Sequence, residues 1–139
     1  MRRGTTLVEV AVVLSIAGLL LGLTLAPMRR LLDGAAVTNA TAAVSGALAL
    51  ARSVAIARGQ LVEVSIHAAG ARVTVVAGPD TLSDERLGGR FGVSLEATAS
   101  RVRYAPTGHG WGLSNTRVIA RRGAAADTLT VSRLGRVRR

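Results

Sequence analysis

The run from Val10 to Met28, VAVVLSIAGLLLGLTLAPM, is nineteen residues without a charge, bracketed by Arg2 and Arg3 before it and Arg29 and Arg30 after it. As an α-helix it would be about 28 Å long, close to the hydrocarbon thickness of a bilayer. Gly18, Gly22 and Pro27 are compatible with such a helix, because neighbours in a membrane can re-satisfy the backbone groups they free. Pro27 lacks an amide proton and is expected to bend or end the first helical stretch.

A conventional secretory signal would have a shorter apolar core followed by an A-x-A-like cleavage site, and LTLAPMRR offers none. A plain single-span anchor fits the length but leaves Glu9 as a cost of about 2.5–3.5 kcal/mol if it sat at mid-membrane. The stretch RRGTTLVE resembles the class III signal of type IV pilins and pseudopilins, in which a short basic leader ends in Gly and the fifth mature residue is Glu. That resemblance implies cleavage between Gly4 and Thr5 by a prepilin peptidase, methylation of the new N-terminus at Thr5, and Glu9 as the fifth mature residue. Thr5 stands where the family usually carries Phe or Met.

The rest of the 139-residue chain has room for one small domain of about 100 residues. Aromatics are scarce, with one Phe, one Tyr and one Trp, so its core must be built from Val, Leu, Ile and Ala. There is no cysteine, which excludes disulfides and thiolate metal sites. After Arg30, Val37, Val44, Leu48, Ala51 and Ala55 recur at helical spacing, with Asp33 as a candidate N-cap and Gly59 as a C-terminal stop. Beyond Gly59 the period switches to two. LVEVSIH, ARVTVVAG, FGVSLEA, RVRY, TRVIA and TLTVS read as about six short strands of an antiparallel sheet, the first two joined by a turn at Gly70. TGHGWGLSN reads as a loop, and the adjacent Asp84 and Glu85 as a solvated turn.

A long N-terminal helix followed by a strand-only domain resembles the GspH/FimT branch of the pseudopilins. The residues carrying this resemblance are LARSVAIARGQLVEV at 50–64 and the closing LTVSRLGRVRR. The expected fold is therefore α+β and pilin-like: a long N-terminal helix, membrane-spanning in its first half, packed on a small antiparallel sheet. Residues 1–4 would be leader, 5–28 the transmembrane and assembly helix, 29–59 its extracytoplasmic half, and 60–139 the β-rich domain. The implied protein is a minor pseudopilin of a type II secretion or type IV pilus filament, anchored once in the bacterial inner membrane with its C-terminal domain periplasmic. Its implied partners are other pilins and the prepilin peptidase.

No enzymatic or metal-binding constellation stands out, and no cofactor is expected. His67 and His109 are isolated, and GHGWG lacks the Lys-Ser/Thr end of a phosphate loop. Glu9 has a chemical use: once the leader is removed, Thr5 carries an amine that the Glu9 carboxylate of an adjacent subunit can neutralise. An interfacial Glu solvated by headgroups is the alternative. The net charge of +10 is uneven, since residues 101–139 hold nine Arg against Asp127 alone. Arg133, Arg136, Arg138 and Arg139 cluster at the end, where they form either a solvated basic surface or an anion-binding face. Some FimT-like pseudopilins bind incoming DNA through a C-terminal Gly-Arg-x-Arg tail, matched here by Gly135 to Arg138. By that resemblance these arginines are candidate DNA contacts in natural transformation. With so few aromatics, contact would be to the backbone and not by base stacking.

Overall fold

The computed structural model describes residues 6–112 and 115–139, with backbone alone at 23–26. A first unit ends at Leu32 and a second runs Asp33–Arg139. In the first, helix α1 (Leu7–Arg58) begins behind Thr6, whose Oγ1 accepts the Glu9 amide at 3.3 Å. Thr6-Leu7-Val8-Glu9 thus has the form of a capping box, with Glu9 at the third helical position. The described side chains up to Leu32 are all exposed within the single chain, among them Leu7, Leu14, Leu19 and Leu31. That much apolar surface requires lipid or other helices to cover it, and the helix holds a segment long and apolar enough to cross a membrane.

Helix α1 passes through Pro27 without ending, so of the two outcomes expected there, a bend or an end, the end does not occur. A missing amide costs one hydrogen bond, and the long helical stretches on both sides carry the backbone across it. Asp33 is correspondingly not an N-cap: it lies inside α1, with its carboxylate 2.9 Å from Nε of Arg122. The alanine-rich sequence after Asp33 favours helix at nearly every position. Its buried face comprises Val37, Ala40, Val44, Leu48, Ala51 and Ala55, at the spacing expected, and α1 stops before Gly59, which adopts φ +61°.

Two four-stranded antiparallel sheets complete the second unit, where a single sheet of about six strands was expected. The first has the order β3-β2-β1-β5, formed by β1 (Val62–His67), β2 (Arg72–Ala77), β3 (Asp80–Arg86) and β5 (Arg101–Tyr104). The second has the order β4-β6-β7-β8, formed by β4 (Ser94–Ala97), β6 (Thr116–Arg122), β7 (Ala125–Val131) and β8 (Val137–Arg138). Val62, Val64 and Ile66 alternate inward in β1, and Val73, Val75 and Ala77 do so in β2. With the inner residues of the second sheet and the buried face of α1 they form one core, each fully buried Val or Leu contributing about 1.5–3 kcal/mol.

Both additional strands lie at sheet edges. In DTLSDER only Leu82 is apolar, because an edge strand protected by charge has no need of an alternating apolar face. Asp84 and Glu85 therefore lie in a strand and not in a turn, and Asp84 holds Arg72 through paired contacts of 2.5 and 2.6 Å. That bond holds the Asp84 carboxyl below the ordinary carboxylate range. FGVSLEA divides between a short helix α2 (Leu87–Phe91) and β4. In the β1–β2 turn, the left-handed position is taken by Ala71 at φ +43°, not by Gly70.

Candidate assembly and anion-contact sites

Gly4 and Thr5 lie outside the described residues. Glu9 stands in the first turn of α1, where a carboxylate is favoured by the partial positive charge of the helix start. Its side chain is exposed, and no cation pairs with it among the described residues. Sequence reasoning weighed Glu9 as half of an ion pair or as a headgroup-solvated carboxylate; the T-x-x-E spacing was a further signal for its place at the helix start.

The basic C-terminus is folded back on β7. Ser132 N–H donates to Arg136 O and Gly135 N–H to Ser132 O, both at 2.8 Å, closing a tight turn. Gly135 adopts φ +75°, and a Cβ placed on it would lie 2.6 Å from Cε1 of Tyr104. Tyr104 is fully buried and its hydroxyl donates to Gly135 O at 3.3 Å. Burial pushes the Tyr104 phenol up, partly offset by the guanidinium of Arg52. The glycine is therefore required by the left-handed backbone and again by the tyrosine ring beneath it.

Alternation along the chain separates the four candidate arginines. Ladder partners lie directly opposite and share a face, so the Thr130↔Arg138 pair places Arg138 with Thr130 on the outer face of the second sheet. Arg139, one residue on, turns to the opposite side. Its Nη2 and Nε lie 2.6 and 2.7 Å from Asp127 Oδ2, and Nη2 also donates to Thr38 O of α1 at 3.1 Å. Thr41 Oγ1 donates to the same carboxylate oxygen at 2.7 Å. Arg139 thus ties the end of the chain to the helix. Arg133, Arg136 and Arg138 are exposed, and their side chains have no hydrogen-bond or ion-pair partner among the described residues. The two arginines that end β6 are both engaged, Arg121 with Glu96 at 3.2 Å and Arg122 with Asp33.

The Thr41 hydroxyl above all, then Arg139 and the Thr128 amide, hold the Asp127 carboxyl below its ordinary range. A carboxyl depressed in the folded state contributes stability above its unfolded value of about 3.9, and that contribution is lost as pH falls through its folded value. Asp127→Asn keeps an acceptor for Thr41 but removes the charge. We expect it to cost about 1 kcal/mol at pH 7 and progressively less as the pH is lowered below about 4, measured as urea midpoints across that range.

His67 and His109 are exposed, and no group of three potential metal-ligating side chains gathers among the described residues.

The model of the family described as type II transport protein GspH matches residues 40–135, more than half of the chain, so Arg136, Arg138 and Arg139 lie beyond the match. The fold is similar to that of the type IV minor pilin FimU of Pseudomonas aeruginosa strain PAO1, with a TM-score of 0.61 and 13% identity over 73% of this chain and 86% of that one. A second crystal form of FimU gives a TM-score of 0.60 at 13% identity, over 73% and 90% of the two chains. The minor pseudopilin EpsH from the type 2 secretion system of Vibrio cholerae gives 0.57 at 16% identity, over 73% and 94%. At such identities the likeness concerns the fold. No curated protein matches the sequence significantly.

Proposed function

Because the chain belongs to the GspH family of pilin-like minor pseudopilins, we propose that it is a structural subunit of a type II secretion or type IV pilus filament, assembled after prepilin-peptidase cleavage. The observation that carries this reading is the spacing of Gly4, Thr5 and Glu9 in the sequence, together with a helix whose described apolar side chains are uncovered up to Leu32. Residues 1–4 are the leader, 5–28 cross the inner membrane and later pack in the filament, and 29–59 continue the helix outside it. The β-rich domain, residues 60–139, faces the periplasm. The protein works by contact: its helix packs among those of neighbouring pilins, and its domain presents a surface to them.

Co-expression with a prepilin peptidase tests the reading. The mature chain is expected to lack Met1–Gly4 by intact-mass measurement, with Thr5 carrying an added methyl group. A chain that keeps its leader in the presence of active peptidase overturns it.

A second reading, capture of duplex DNA on the same scaffold, is favoured by one observation: Arg133, Arg136 and Arg138 are exposed, and no acid pairs with them among the described residues. Guanidinium groups left in this state are available to phosphate oxygens.

A further inference from the structure

The arginines of the C-terminal tail are continuous with a cation on a different strand. In the second sheet, Arg138 lies opposite Thr130, and Thr130 lies opposite Arg117 of β6. These three residues therefore form one row across β8, β7 and β6 on the outer face. Arg117 is exposed, and its side chain has no partner among the described residues. Its backbone amide is fixed by Thr98 Oγ1 at 2.9 Å, so the position is held while the guanidinium remains available. Adjacent strands are about 4.8 Å apart, which places the Arg117 and Arg138 Cα atoms about 10 Å from each other. Arg136 extends the face: its carbonyl accepts the amide of Ser132, two residues beyond Thr130, and it is itself two residues before Arg138.

We propose that the outer face of the second sheet is a phosphate-backbone contact surface in which Arg117 acts together with Arg136 and Arg138, while Arg139 is a positioning residue and not a contact. The inference rests on the DNA reading given above and extends it from a tail to a sheet face. Four arginines (117, 121, 136 and 138) stand on this face against the single acid Glu96, which Arg121 already neutralises. The ladder neighbours of Arg117, Arg138 and Arg121 are Thr130, Ala126 and Ser94, with Thr128 between them, and the one large apolar side chain of β6 on this face is the half-buried Ile119. Arginines and hydroxyls are the side chains that contact phosphate oxygens. A protein partner would need an apolar centre to dock on, and this face has little. No aromatic side chain stands on the paired positions of the face, which excludes base stacking there and favours the duplex backbone over single strands.

The test is a fluorescence-anisotropy titration of the full chain in detergent with a labelled 30-base-pair duplex, at several salt concentrations. Wild-type protein is compared with R117Q, the double variant R136Q/R138Q, and R86Q, which removes an exposed charge from β3 in the other sheet. R117Q is expected to weaken binding roughly fivefold and to lower the slope of log affinity against log salt by about 0.9, as for one lost phosphate contact. R86Q is expected to leave both unchanged. If wild-type protein shows no salt-dependent binding, the DNA reading fails and the proposal with it. If R136Q/R138Q weakens binding while R117Q behaves like R86Q, the reading stands and the sheet face is overturned. Tighter binding of polyglutamate than of duplex would make an acidic polypeptide the occupant and overturn the phosphate assignment.

Discussion

Gly135→Ala lowers the thermal midpoint by about 10 °C and opens the C-terminus to trypsin after Arg133 and Arg136. Two costs combine at this position. An L-residue at φ +75° gives up about 1–2 kcal/mol of backbone energy. The added Cβ also meets the Tyr104 ring at 2.6 Å, a separation that forces either the ring or the turn to move. Tyr104 is walled in by the core, so the turn is the part that yields, taking with it the hydrogen bond from the tyrosine hydroxyl to Gly135 O. A total near 2 kcal/mol corresponds to about 10 °C for a domain of this size. Gly78→Ala separates the two costs, since Gly78 has φ +60° but nothing within 4 Å of a new Cβ. It should show the backbone cost alone, a shift about half as large, with the tail still resistant to trypsin. Equal shifts for the two variants would mean that the tyrosine contact contributes nothing. Because the turn aims Arg136 and Arg138, Gly135→Ala also predicts weaker duplex binding without removal of any charge.

What could be read in the sequence, and what could not, follows from how local each signal is. Val37, Val44, Leu48, Ala51 and Ala55 declare a buried helix face within a few turns, and the face is there. The alternation in VEVSIH and RVTVVA is as local and as faithful. DTLSDER was missed because an edge strand advertises itself by protective charge, which reads like a loop. The VR of β8 is too short to show any period. Charge could be counted but not paired. Nine arginines against one acid describes the last third of the chain, yet Arg122 is neutralised by Asp33 from the helix and Arg121 by Glu96. The bond from Thr41 to Asp127 spans 86 residues. Only the strand register shows that Arg138 and Arg139, neighbours in sequence, serve opposite faces, and that Arg117 belongs with the first of them.

Glu9→Gln is expected to insert into the membrane and be processed normally, yet to enter filaments on the order of a hundredfold less than wild type. The choice of glutamine matters because it separates the helix-start position of Glu9 from the pairing role proposed for its charge. At the third position of α1 it stands in a T-x-x-E sequence whose Thr6 Oγ1 accepts the Glu9 amide, and glutamine suits that position as well as glutamate does. What glutamine cannot do is neutralise the amine that the proposed cleavage would expose on Thr5. Between packed helices that amine is already desolvated, and leaving such a charge unpaired costs about 3–5 kcal/mol, equivalent to at least two decades in an equilibrium. Glu9→Ala removes both roles and should assemble no better than Glu9→Gln, with the start of the helix further weakened. Sedimented filament fractions, quantified against total processed protein, distinguish the possibilities. If Glu9→Gln assembles like wild type while Glu9→Ala does not, the carboxylate is a helix cap and the pairing argument fails. If both fail to assemble, the charge is the feature that counts. The dependence then has a direction built into it: an unprocessed chain has no amine at Thr5 to offer, so cleavage creates the partner that Glu9 requires, and assembly waits on it.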